Sequence, residues 1–253
     1  MRNRLIVSLL LIVFSVGAKA EAETFSYYSI NFTPAAYQSD DGITGYYADI
    51  LRRVAEELGQ NPIDINLVPY PRMARILNNN QNEVIIACLF PSANFKPHIY
   101  QPTSVGTFET AVVTLQNSPL NWDSIIDKRV ATVRGASKVY GEKFHDLVLN
   151  NSIKLIAVKD YYQGIQMLKA GRIDAFAGNL YATLVMAADE DIALSEPMLI
   201  SEKQSMITIS IAPHIENGDQ IVAQVSDIVN KMRDSGELQD IIEKYLPNAE
   251  QQR

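Results

Sequence analysis

The chain has 253 residues, 47% apolar and 20% charged, a globular composition with room for two modest domains or one large one. Its 22 basic and 29 acidic residues give a formal charge of −7, and no basic run occurs, which argues against nucleic acid or an anionic membrane as a partner. The single cysteine, Cys88, excludes an intrachain disulfide, and within the apolar run Val84–Leu89 it reads as a small buried hydrophobe.

Residues 1–20 read as a secretory signal peptide. Arg2 and Arg4 form a positive start, and the apolar run from Leu5 to Val16 is broken only by Ser8 and Ser15. Ala18-Lys19-Ala20 then places small residues where a signal peptidase cuts. The run falls short of the ~20 residues a membrane-spanning helix needs. Removing it leaves 19 basic and 29 acidic residues, because Arg2, Arg4 and Lys19 go with it. The mature chain, from about Glu21, is expected to be soluble and periplasmic.

Thr24–Ser29 predicts a first strand. From Gly45 to Leu58, Ile50, Leu51, Val54, Ala55 and Leu58 form one apolar stripe, with Arg52, Arg53, Glu56 and Glu57 opposite, so the spacing predicts an amphipathic helix. Asp49 suits its first turn and Gly59 its end. Ile63, Ile65 and Leu67 alternate as a strand. Pro71 fits the start of a short helix, and Val84–Leu89 suits a strand buried on both faces. Thr110–Leu115 is strand-like. A second series follows: strand Arg129–Val133, helix from Ser137 to Asn150, strand Ile153–Val158, helix Tyr161–Ala170, strand Ile173–Ala177 and helix Leu180–Ala188. Gln204–Ala212 is again strand-like, and the helices Asp219–Asp234 and Glu237–Leu246 close the chain on either side of Gly236.

Two βα series imply an α/β fold with two sheets, hence two lobes joined by a two-stranded hinge. The expected division is residues 21–112 and 207–253 in the first lobe and 113–206 in the second. A cleft between hinged lobes favours a small ligand.

The run Gly45-Tyr46-Tyr47-Ala48-Asp49, after Phe32-Thr33-Pro34, resembles the opening of the type 3 periplasmic solute-binding proteins, the polar amino-acid-binding group of ABC transporters. Three further phrases in the family's order and spacing support the likeness. They are Arg129–Val133 with Gly135-Ala136-Ser137, Ala170-Gly171-Arg172-Ile173-Asp174-Ala175, and Gly236-Glu237-Leu238 through Leu246. The resemblance spans essentially the whole mature chain. It implies a solute captured between two lobes and handed to a membrane permease or a receptor, by a monomer with no cofactor and no bound metal.

The same resemblance implies an Arg that reads a ligand carboxylate and an Asp that reads its amino group. Here Asn94 and Asn179 stand at those places. Two charged hydrogen bonds at roughly 1.5–3 kcal/mol each amount to on the order of a hundredfold or more in affinity, so a standard α-amino acid is not expected in the family's usual pose. Arg72, Arg134 and Lys96 are the candidate substitute cations; Arg134 and Lys96 read first as solvated surface charges, and Arg72 reads equally either way. Tyr70 precedes Arg72 at the end of a strand. Ser137 reads as a helix cap whose neighbouring N–H groups also suit an anion. Phe32 and Phe90 are the expected aromatic walls, within a wider set of aromatics that includes Tyr46, Tyr162 and Tyr181.

Enzyme signals are sparse. His98, His145 and His214 have no metal-ligand spacing, and no nucleophile elbow, His-Glu-x-x-His run or phosphate loop is present. A cyclohexadienyl-dehydratase-like enzyme on the same scaffold and a periplasmic sensory module are the alternatives.

Overall fold

The computed structural model describes residues 25–79, 84–89, 104–134, 136, 140–200, 205–212 and 218–246. The expected signal peptide lies outside them. In chain order, β1 (Phe25–Ile30) leads through a turn to β2 (Tyr37–Ser39) and β3 (Gly42–Thr44), then α1 (Tyr46–Glu57), β4 (Ile65–Val68), α2 (Tyr70–Asn79) and β5 (Val84–Leu89). Next come β6 (Ser104–Phe108), β7 (Thr110–Val113), β8 (Arg129–Val133), α3 (Glu142–Leu149), β9 (Lys154–Val158), α4 (Tyr161–Lys169), β10 (Ala175–Asn179) and α5 (Leu180–Asp189). The chain ends with β11 (Met198–Leu199), β12 (Ser205–Ile211), α6 (Gly218–Ser235) and α7 (Glu237–Glu243).

Two five-stranded sheets result, in the orders β4-β1-β5-β12-β6 and β11-β7-β10-β8-β9. In the first, β4 and β5 run parallel to β1, while β12 is antiparallel to β5 and β6. In the second, β9 and β10 run parallel to β8, and β7 is antiparallel to β10. Both sheets are therefore wound alike. The first strand of each series sits between the second and third, and the strand next to the third arrives from across the molecule. The chain changes sheets at Glu109, between β6 and β7, and returns between β11 and β12. The first change falls upstream of the expected division at 112, because Thr110–Val113 already pair with β10.

Local chemistry accounts for the elements. α1 buries Tyr46, Tyr47, Ala48, Ile50, Leu51, Val54 and Ala55 against the first sheet. It ends in a Schellman motif: Gly59, at φ 74°, donates to the Glu56 carbonyl, and Gln60 donates to that of Ala55. α6 and α7 complete this core, which also takes Met73 and Leu77 from α2. The second sheet has Phe144 of α3 on one face, and Ile165, Leu168 and Ala187 of α4 and α5 on the other. The Gly171-x-x-Asp174 phrase has a structural explanation. Gly171 (φ 62°) caps α4, and the Asp174 carboxylate receives the Arg129 side chain at 2.7 and 3.1 Å and the Arg129 N–H at 2.8 Å.

Two expected elements shift. The helix expected from Ser137 begins at Glu142, with Gly141 as its cap residue, and the strand expected over 173–177 lies at 175–179. Asp174 is held by Arg129 at one end of that strand, while cross-strand pairing with β7 carries it on to Asn179. β2, β3, β6 and β11 are additions: β2, β3 and β11 have too few residues to show a period, and Gly106 interrupts the pattern of β6. Among the described residues, no helix is long and apolar enough to cross a membrane, and no group of His, Cys, Asp or Glu is arranged to hold a metal ion.

Candidate functional site

In a parallel sheet, a ligand crevice opens at the carboxyl ends of the strands, where the strand order reverses. Here that reversal occurs between β1 and β5 in one sheet and between β8 and β10 in the other. Phe32 follows β1, Arg134 follows β8, and Asn179 ends β10, so these three expected site residues stand at the switch points. Tyr70 and Arg72 lie in the first turn of α2, after β4, and Arg72 is exposed. Phe90, Asn94 and Ser137 lie outside the described residues.

The two switch points meet through aromatic rings. Phe32 packs edge-on against Tyr161 of α4 with centroids 5.7 Å apart, and against Phe108 at 5.9 Å. Tyr161 in turn packs edge-on against the buried Phe176 at 5.4 Å, and its hydroxyl accepts the Asn179 backbone N–H at 2.8 Å. Burial, reinforced by Tyr140, raises the Tyr161 phenol far above its ordinary range, so it is a neutral wall.

The turn carrying Phe32 is itself held firmly. Phe32 and Ala36 exchange N–H···O bonds of 2.8 and 2.9 Å, and the Pro34 and Ala35 carbonyls accept the N–H groups of Tyr46 and Tyr47 at the start of α1. This approach requires Gly45: at φ 117°, a Cβ there would stand 2.4 Å from the Ala35 oxygen. The first N–H groups of α1 are thereby satisfied within the fold.

Asn179 is 1% exposed. Its Oδ1 accepts the Ala182 N–H at 2.9 Å as the cap of α5, and its Nδ2 donates to the Glu109 carbonyl at 3.0 Å. The amide that sequence reading directs at a ligand thus caps a helix and ties it to the crossing between sheets. Arg134 is exposed, and its backbone N–H donates to Val158 at 3.0 Å. Neither Arg134 nor Arg72 has an ion-pair partner among the described residues.

Three contributors escape a sequence-only reading. Tyr161, not its neighbour Tyr162, faces Phe32; Tyr162 is 54% exposed. The available signal was the glycine pair. A Cβ on Gly164 would meet the Phe176 ring at 2.3 Å, and one on Gly178 would meet the Tyr161 ring at 2.8 Å. Phe108 and Glu109 are placed only by the change of sheet. On the first-sheet side of the cleft, Tyr46 is buried and stacks edge-on with Tyr47 at 4.8 Å.

Two sheets of like winding, crossed twice by the chain and meeting at their switch points, define the class of two-lobed periplasmic binding-protein folds. No protein-family model matches the chain. It is 22% identical over 239 residues to the L-cystine-binding protein TcyA of Bacillus subtilis, covering 92% of this chain and 81% of that protein. Among solved structures, it resembles the second substrate-binding domain of a putative amino acid ABC transporter from Streptococcus pneumoniae (TM-score 0.68, 19% identity, 88% of this chain and 100% of that one). It also resembles substrate-binding domain 2 of Lactococcus lactis GlnP in an open conformation (TM-score 0.67, 16% identity, 88% and 94%). A third is the ancestral amino-acid-binding protein AncCDT-1, a precursor of cyclohexadienyl dehydratase (TM-score 0.62, 14% identity, 88% and 96%). The chain has the fold these proteins share.

Proposed function

We propose that this protein is a periplasmic solute-binding protein that captures a small polar or partly aromatic molecule between its lobes and delivers it to an ABC permease. The observation that carries this reading is the meeting of two like-wound sheets at their switch points, with Phe32, in the turn after β1, in contact with Tyr161, at the start of α4 on the other sheet. The curated relative is named for L-cystine binding, and two structural neighbours are substrate-binding domains, one of a putative amino acid transporter and one of GlnP. Export follows from the signal peptide read in residues 1–20.

In this reading Phe32 and, from the sequence, Phe90 meet the ligand's apolar part, Arg72 or Arg134 meets any anionic group, and Tyr70 and Ser137 are further candidate contacts. The neutral residues Asn94 and Asn179 disfavour a zwitterion in the usual pose, because unpaired buried charge is costly. Ligand carried through purification and identified by mass spectrometry is the direct test, followed by calorimetry on unfolded and refolded protein. The common α-amino acids are expected to bind weakly; submicromolar binding of one of them overturns the neutral-reader part of the proposal. Recovery of no ligand, with no binding from a broad metabolite panel, overturns the whole.

The likeness to a dehydratase precursor makes catalysis the reading to exclude. Turnover of prephenate or arogenate by the purified protein would replace solute binding with dehydration. No turnover is expected.

A further inference from the structure

The charge pattern of the cleft narrows the ligand class, an argument that rests on the solute-binding reading. Glu109 is the residue at which the chain passes from one sheet to the other. Its backbone carbonyl is occupied by the Leu180 N–H at 2.9 Å and by Asn179 Nδ2 at 3.0 Å, which extends the β7–β10 ladder by one residue.

Strand parity sets the direction of its side chain. Val112 packs on the face of the second sheet that carries α3, and Val113 packs with Ile165, Phe176 and Ala187 on the face that carries α4 and α5. Side chains alternate across a strand, so Ala111 and Glu109 share the face of Val113. Glu109 therefore stands beside the first turn of α5, at Tyr181. The Tyr181 phenol agrees: burial raises it, and the negative charge of Glu109 raises it further.

Glu109 is half-buried as a residue, and its carboxylate has no cationic partner among the described residues. Tyr181 is thus the aromatic ring nearest the carboxylate, and the preceding residue, Phe108, belongs to the Phe108–Phe32–Tyr161 stack. A carboxylate beside π faces suits a positively charged organic group, which takes a charge-assisted contact from the one and cation–π attraction from the others. We infer that Glu109 is the anionic reader of the cleft, and that the ligand is an organic cation: an ammonium or guanidinium on an apolar or ring-bearing body. The Asn179 side chain, spent on the Ala182 N–H and the Glu109 backbone carbonyl, fixes the main chain that carries this carboxylate.

The test uses pairs of probes that differ in charge and little else: choline with 3,3-dimethylbutan-1-ol, and tryptamine with tryptophol and indole-3-acetate. Binding is measured by calorimetry on refolded wild-type, Glu109→Gln and Glu109→Asp proteins, with circular dichroism to show that each is folded. A mixed panel of sugars, carboxylates and amino acids is run alongside. At least one cation is expected to bind wild type about tenfold or more tightly than its neutral partner. Glu109→Gln is expected to abolish that preference, and Glu109→Asp to keep part of it. Equal affinity for cation and neutral partner, a preference that survives in Glu109→Gln, or failure of every cation to bind overturns the inference. If panel members bind while the cations do not, the solute-binding reading stands without it. If nothing binds, both fall.

Discussion

Gly178→Ala tests the packing that brings the two sheets together. A Cβ at this position would lie 2.8 Å from Tyr161 Cε1, 2.9 Å from Phe176 Cε1 and 3.3 Å from Thr183 Oγ1. Carbon atoms prefer about 3.5–4.0 Å, so the rings must retreat by roughly 0.5–1 Å. Neither ring is free to do so. Phe176 is fully buried, and Tyr161 is held by the Asn179 N–H on one side and by Phe32 on the other. Overpacking of this kind costs about 1–3 kcal/mol, and here it also pushes Tyr161 against Phe32. Urea unfolding should show that loss, with a weakened affinity for whatever ligand purification identifies. Gly106→Ala is the control: its Cβ would sit 3.8 Å from the Ile207 and Ile242 methyl carbons, and it should be neutral or slightly stabilising. If Gly178→Ala proves as stable as Gly106→Ala, Tyr161 is not wedged as described.

Tyr161→Phe keeps the ring but strands the Asn179 N–H, a loss of about 1–3 kcal/mol by urea titration; an unchanged midpoint would show that the N–H finds another partner. Thr110→Val removes a buried hydroxyl that has no partner among the described residues, so stability should hold or rise, and a clear loss would reveal a partner. Asp49 gives a pH test. Burial raises its carboxyl, but hydrogen bonds from Tyr245 (2.6 Å) and Lys244 (2.9 Å) and the charges of Lys244 and Arg52 outweigh burial and leave it below the ordinary range. A lowered folded pKa contributes stability that is present above the unfolded value of about 3.9 and lost as pH falls through the folded value. Asp49→Asn should therefore flatten the decline in stability below about pH 4, and an unaltered acid limb would remove Asp49 from that account. Small-angle scattering should show compaction on saturation with the purified ligand; an unchanged radius of gyration would count against hinge closure.

Most of the fold was legible because it is written in local signals. The stripe of α1, its Asp49 start and its Gly59 stop all appear in the sequence and recur in the structure as buried face, first turn and Schellman cap. The Gly171 cap was equally local. Short strands were not legible: Tyr37–Ser39, Gly42–Thr44 and Met198–Leu199 are too brief to display a period, and Gly106 interrupts the pattern of β6. The candidate site was legible only in part. Phe32, Arg134 and Asn179 fall at strand ends that could be counted from the sequence, but what each side chain does there could not.

What the sequence determined by itself is the α/β class, the two βα series and the chain positions at which strands end, because periodicity, caps and glycine act over a few residues. Tertiary structure alone decided that Tyr161 rather than Tyr162 faces Phe32, that the Asn179 amide is spent on Ala182 and Glu109, and that a carboxylate with no cationic partner among the described residues stands at the crossing. Each of these depends on the register between β7 and β10 and on the approach of one sheet to the other, contacts between residues tens of positions apart. A one-residue change of register would turn Glu109 to the opposite face, and no local pattern in the chain records which register is adopted.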